Sequence, residues 1–258
     1  KEECRKIFDG FVSAGGNFID TANKYMQGTS ERWVGEFLDS ERDKMVVATK
    51  YTLTMDPDDP NAHGNHRKNL VRSVEDSLDR LKTDYIDILW VHAWDFMTPI
   101  DEVMRSLDDL IKAGKVLYLG ISNTPAWVVA QANTLAHLRD WTPFVGLQVP
   151  YNLTERSIER EFLPMADSMD LAVTAYFPLA AGILTGKYNQ ESEEPRRLGP
   201  GSPVGIFEVE KEKLAVAAEV IKIAQDIQRT PSQVALNWVR QRQKKAVMIP
   251  IIGARTEA

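Results

Sequence analysis

The stretch IDILWVHAWDFMTPIDEVMRSLDDLIKAGKVLYLGISN, residues 86–123, reads as one complete strand–helix–strand unit. Ile86–Val91 and Val116–Ile121 are short and apolar on both faces, as strands of a buried parallel sheet are. Between them Ile100, Val103, Met104, Leu107, Leu110 and Ile111 recur at helical spacing. Thr98-Pro99 opens that helix and Gly114 closes it. Strand and helix in alternation imply parallel strands joined by right-handed crossovers, so this unit points to an α/β fold.

The same rhythm continues on both sides. Asn17–Thr21, Met45–Thr49, Val145–Val149, Leu171–Phe177 and Ala246–Ile252 are further apolar runs of strand length. Leu70, Val71, Val74, Leu78 and Leu81 mark another helix, and Thr230-Pro231-Ser232-Gln233 has the form of a capping box. Seven strands are visible, and the chain opens on an amphipathic helix at Lys1–Ser13. The simplest completion is a (β/α)8 TIM barrel, one domain over residues 1–258, with its first strand and its C-terminal end missing from the chain. A doubly wound open sheet is the rival. It usually carries a Gly-rich first turn, and no G-x-G-x-x-G follows any strand here.

Composition narrows the function classes. With 43% apolar and 26% charged residues over 258 positions, the chain is an ordinary globular protein with ample core. A net charge of −6 with no segregated basic run argues against nucleic acid or an anionic membrane as partner. No apolar run is long enough to span a bilayer and no signal peptide is evident, so a cytoplasmic location is expected. One cysteine excludes an internal disulfide. Cys4 shares a stripe with Ile7, Phe8 and Phe11, which predicts a buried packing role.

A barrel places its active site where strands end and loops begin. Polar residues stand at those points in five consecutive strands: Asp20, Lys50, His92, Ser122-Asn123 and Gln148. Taken singly, each has an ordinary reading as a cap, a solvated charge or a hydrogen-bonded core group. Their common placement is what favours chemistry. Long segments at Tyr51–Asn65 and Lys187–Val209 would lie on the same face. His63 and His66 near Asp56, Asp58 and Asp59 could suggest a metal site, but a solvated polar loop is the stronger reading and no metal is predicted.

Gly16–Tyr25, with Asp20 followed five residues later by Tyr25, resembles the signature of the aldo-keto reductase superfamily. Val47–Lys50 is similar to the family's lysine strand and Asp87–His92 to its histidine strand; the likeness runs from Lys1 to Ala258. His92-Ala93-Trp94-Asp95 resembles the aryl-alcohol-dehydrogenase-like branch. The resemblance implies NADPH-dependent reduction of aldehydes or ketones, aromatic aldehydes among them, to alcohols. It implies Tyr25 as general acid, Lys50 lowering its pKa, Asp20 paired with Lys50, and His92 orienting the substrate oxygen.

It further implies a set of contacts to NADP(H). Ser122, Asn123 and Gln148 would hold the carboxamide and Tyr176 would stack on the nicotinamide. Pro178–Gly182, including Leu179 and Gly182, would form the pyrophosphate turn, and Lys187 would reach a phosphate. Gly253-Ala254-Arg255 matches the 2′-phosphate site and favours NADP over NAD; Arg196 and Arg197 could add a contact. Phe177 departs from the pattern, which usually has a serine there. Tyr51 and Trp94 could wall the substrate pocket or simply pack at the rim, and Asp95 is read as capping the Thr98 helix. Two other readings compete: an NADP(H)-binding regulatory subunit with little turnover, and a barrel hydrolase with paired carboxylates. The hydrolase needs two well-placed acids, and only Asp20 qualifies.

Overall fold

The computed structural model describes residues 1–189, 198, 209–242, 246–254 and 256. The chain divides into two compact units, Lys1–Leu147 with Gly253–Ala258, and Gln148–Ile252.

The first unit runs α1 (Glu2–Ser13), β1 (Phe18–Asp20), α2 (Thr29–Leu38), β2 (Val46–Tyr51), α3 (Arg67–Leu81), β3 (Ile86–Val91), α4 (Ile100–Lys112), β4 (Val116–Ser122) and α5 (Ala126–Arg139). Strand β5 (Phe144–Pro150) crosses from it into the second unit. Parallel pairing joins β1 to β2 at Phe18↔Val46, β2 to β3 at Ala48↔Ile88, and β3 to β4 at Ile88↔Tyr118. The second unit continues with α6 (Phe162–Ser168), β6 (Ala172–Tyr176), α7 (Lys211–Asp226), α8 (Pro231–Arg240) and β7 (Met248–Pro250), and β6 pairs with β7 in parallel.

Strand order follows chain order from β1 to β7. It nowhere reverses, so there is no topological switch point and the doubly wound alternative is excluded. The fold class is the α/β, TIM-type one expected from the strand–helix rhythm.

The core explains why these segments form these elements. Strands β2 and β3 are buried along most of their length, and α3 and α4 lay Leu70, Val74, Leu78, Val103, Met104 and Leu107 inward. Each such side chain contributes roughly 1.5–3 kcal/mol on leaving water. At Gly120 a Cβ would lie 2.2 Å from the Trp90 ring, so only glycine lets Trp90 pack across β4. The predicted capping box of α8 is present, with Thr230 Oγ1 accepting from Gln233 N at 3.2 Å and Gln233 Oε1 accepting from Thr230 N at 3.0 Å.

Two expectations are corrected. Cys4 is exposed: no residue of α1 is fully buried, and the helix meets the rest of the unit through Phe8 against Phe37, leaving Cys4 outside that contact. Strand β2 does not stop at Thr49. It continues through Lys50 and Tyr51, both buried, because Lys50 is neutralised inside the fold rather than released to solvent.

Candidate active site

Asp20 is the last residue of β1, and Lys50 lies on the paired strand just past its Asp20↔Ala48 register position. Lys50 is 0% exposed, and its ammonium donates to the Asp20 carboxylate and, at 2.7 Å, to the Thr21 carbonyl. Burial lowers the Lys50 pKa, while the charge and hydrogen bond of Asp20 act against that shift. An ammonium removed from water costs several kcal/mol unless paired, so Asp20 and the Thr21 carbonyl are what permit a charged lysine here.

Past β1 the backbone stays attached to β2, with Thr21 N donating to Ala48 O at 2.8 Å and Asn23 N to Lys50 O at 3.1 Å. It then turns, Tyr25 N donating to Ala22 O at 3.1 Å, and brings Tyr25 over the pair. The Lys50 ammonium lies 4.9 Å from the Tyr25 ring centroid, and the His92 ring meets Tyr25 edge-on at 5.9 Å and 84°. Tyr25 is 41% exposed, so its ring faces solvent with a buried ammonium beneath it.

His92 is the first residue after β3. Its N–H donates to Tyr51 O at 3.3 Å and its carbonyl accepts from Asn123 Nδ2 at 2.8 Å. Burial and the nearby Lys50 charge bring its pKa down to about 4. The imidazole is therefore neutral at pH 7 and can only act through a hydrogen bond, not through a positive charge. The structure thus gathers Asp20, Lys50 and His92 at neighbouring strand ends, with Tyr25 over them from the loop after β1.

Ser122 closes β4 and is buried; Asn123 follows at φ 45°, its Nδ2 also donating to Ser122 Oγ at 3.1 Å. Half-buried Trp94 donates its backbone N–H to Asn123 O at 3.4 Å. Tyr51 is not a pocket wall. It is 1% exposed and donates to the Asn65 carbonyl at 3.4 Å, and burial pushes its pKa up. As an alternating strand residue after Lys50, it points the other way, into packing.

In the second unit Gln148 is buried on β5 and Tyr176 ends β6, half-buried, with burial raising its pKa. Phe177, where a serine is usual, adopts φ 56° and packs edge-on against Tyr176 at 5.1 Å and 81°. Half-buried Leu179 precedes a turn with three successive left-handed residues, Ala180, Ala181 and Gly182, at φ 49°, 54° and 94°. A Cβ at Gly182 would stand 3.1 Å from Lys187 Cε and 3.4 Å from its Nζ. The bare glycine lets the ammonium lie on a tight backbone turn, an arrangement that fits a phosphate. Gly253 is exposed; Arg196, Arg197 and Arg255 lie outside the described residues.

Sequence reasoning missed Asn65, Glu31 and Asn23. Asn65 and Glu31 are both 0% exposed, and Asn23, at 1%, keeps a buried side-chain amide with no hydrogen-bond partner among the described residues. Asx and Glu residues in loops and helices read as solvated, and nothing local signals that they turn inward. His66, weighed as a metal ligand, instead caps α3 by accepting from Asn69 N at 3.2 Å. Among the described residues no three His, Cys, Asp or Glu side chains are placed to hold a metal ion, and no helix is long and apolar enough to cross a membrane.

A sequential α/β fold with aspartate, lysine and histidine at or beside neighbouring strand ends, and a tyrosine from the adjoining loop, defines the class: α/β proteins of the TIM type, with polar groups gathered at the loop face. The chain belongs to the aldo/keto reductase family, whose model matches residues 1–258. It is 41% identical over 273 residues to an aryl-alcohol dehydrogenase [NADP(+)] of Phanerodontia chrysosporium, covering 99% of this chain and 69% of that protein. It is 40% identical over 263 residues to the norsolorinic acid reductase of Emericella nidulans (99% and 65%), and 38% over 261 to an aryl-alcohol dehydrogenase of Pestalotiopsis microspora (99% and 66%). The chain spans about two thirds of the length of these relatives.

Proposed function

We propose that this chain carries an NADPH-dependent carbonyl reductase that converts aldehydes and ketones, aromatic aldehydes among them, to alcohols and runs in reverse when alcohol is supplied. The observation that carries the reading is the buried Lys50–Asp20 pair beneath a solvent-facing Tyr25, with a neutral His92 at its edge.

Tyr25 donates the proton from its hydroxyl to the carbonyl oxygen. A phenol holds its proton too tightly for efficient transfer near pH 7, and a cation beside it favours the phenolate. Lys50 supplies that cation, and Asp20 with the Thr21 carbonyl holds the ammonium charged and in place despite its burial. His92 orients the same oxygen by hydrogen bonding, which a neutral ring does without opposing Lys50. When bound, NADPH supplies the hydride.

Ser122 and Asn123 in the first unit, and Gln148, Tyr176, Leu179, Gly182 and Lys187 in the second, are assigned to the cofactor by the family pattern. The Lys187 ammonium on the Gly182 turn supports the phosphate assignment. Preference for NADP rests on Gly253 and Arg255 and agrees with the relative whose name carries NADP(+). Half-buried Trp94 is the candidate pocket wall. A cytoplasmic site of action accords with a single cysteine, which can form no disulfide within the chain.

The test is loss of NADPH absorbance with a panel of benzaldehydes, alongside affinities for NADPH and NADH. Turnover with tighter NADPH binding is expected. Tight NADPH binding with no turnover of any carbonyl would favour a regulatory subunit, and equal affinities for the two cofactors would remove the Arg255 assignment.

A further inference from the structure

Asn65 sits in the loop after β2 and is completely buried, and all its hydrogen-bonding groups are engaged. Its N–H donates to Asp95 Oδ2 at 2.7 Å, and its Oδ1 accepts from Asp95 N at 2.7 Å. Its Nδ2 donates to Ala93 O at 2.9 Å and to Thr52 Oγ1 at 3.2 Å, while its carbonyl accepts from Tyr51 Oη at 3.4 Å. Asp95 completes the clasp from the loop after β3. Its Oδ1 accepts from Met97 N and Thr98 N, each at 2.9 Å, and Oδ2 from Thr98 Oγ1 at 2.7 Å.

This pair joins the two loops that follow Lys50 and His92. Ala93, held by Asn65, is the residue next to His92, and Tyr51, held by Asn65, is the residue next to Lys50. The loops are strained on both sides of the clasp, with Thr52 at φ 103° and Phe96 at φ 58°. A β-branched or bulky residue keeps such a backbone only where its surroundings over-determine it. A stabilising turn alone would need one of these bonds; a reciprocal pair between separate loops fixes their relative position.

We infer that Asn65, with Asp95 as its partner, is a positioning residue that sets His92 and Trp94 against Lys50 and Tyr25. The inference rests on the reading that these side chains carry the carbonyl chemistry.

The readout is the protonation of His92 in the unliganded chain, followed by NMR among its four histidines. In the parent it is expected near pH 4, because burial first and then the Lys50 charge oppose the imidazolium, with Tyr25 at the ring's edge. Asn65→Ala and Asp95→Asn release the loop and admit water, so His92 is expected to protonate about one pH unit higher or more. The value of kcat/KM for a benzaldehyde should fall about tenfold or more, as misplacement of a reacting group does. Asp95→Asn keeps the side-chain shape and an acceptor for the Thr98 turn, so it decides the matter alone should Asn65→Ala not fold. Folded variants whose His92 still protonates near pH 4 and whose kinetics match the parent would overturn the inference. Absence of turnover in the parent would instead reject the carbonyl reading, and the titration would still report on the clasp.

Discussion

At His92 two effects act in the same direction. Burial and the Lys50 charge both penalise the imidazolium, so the folded protein resists its protonation until about pH 4 while an unfolded chain accepts a proton near 6.5. Between those values the unfolded state binds more protons, and stability falls as pH falls. The contribution is complete above about 6.5 and lost by about 4. His92→Gln removes it, so the melting temperature of the variant should decline less steeply than the parent's across that window. Parallel curves would contradict the burial. Asp59, held down to about 2 by hydrogen bonds from Asn61 and then Arg72, and Glu159, held down to about 2 by Arg156 and then Tyr151, add their own losses as pH falls below about 4.5. The identity of His92 was legible in the sequence because it follows an apolar strand. Its depressed pKa was not, since that depends first on burial and then on a lysine forty-two residues away in the chain.

Helix α2 secures the strand that carries Lys50. Glu31 is 0% exposed, accepting from Thr49 Oγ1 at 2.5 Å and from Arg80 Nε at 2.6 Å. Beside it, the Ser30 and Thr21 hydroxyls share a 2.7 Å hydrogen bond, and Thr21 is the residue whose carbonyl receives Lys50. The helix also approaches α3 closely: a Cβ at Gly35 would lie 2.5 Å from the Leu81 carbonyl oxygen. Removing one member of a buried ion pair leaves the other uncompensated, and Glu31→Ala should cost about 3–5 kcal/mol. Urea unfolding measures it, with Glu31→Gln losing less because it still accepts from Thr49. A loss below about 1 kcal/mol would show the pair to be ornamental. This helix was illegible beforehand: a glycine in its middle and a glutamate on its inner face break the apolar stripe that revealed α3 and α4.

All seven strands could be read from the chain because their residues are mostly apolar: β2, β3 and the later parts of β4 and β5 are largely buried, and the short β1 and β7 are still apolar at most positions. Their ends were harder. A lysine reads as a boundary, so the pattern ends β2 at Thr49, although Asp20 lets the fold absorb Lys50 and the strand runs to Tyr51. The stripe that Cys4 shares predicts burial, but a stripe does not say where the helix meets its neighbours, and Cys4 is exposed. The candidate site was legible as a set of strand-end polar residues, whereas the buried Asn65 and Glu31 that hold those strands and loops in place were not. Tyr25 depends most on the resemblance, since it comes from a loop and not from a strand end. In the proposed reaction its hydroxyl delivers the proton. The direct measurement is single-turnover oxidation of NADPH by a benzaldehyde in Tyr25→Phe, with the NADPH dissociation constant determined on the same sample. A rate lowered by about 10²–10⁴-fold with cofactor binding unchanged is the predicted result; a parent-like rate would contradict it.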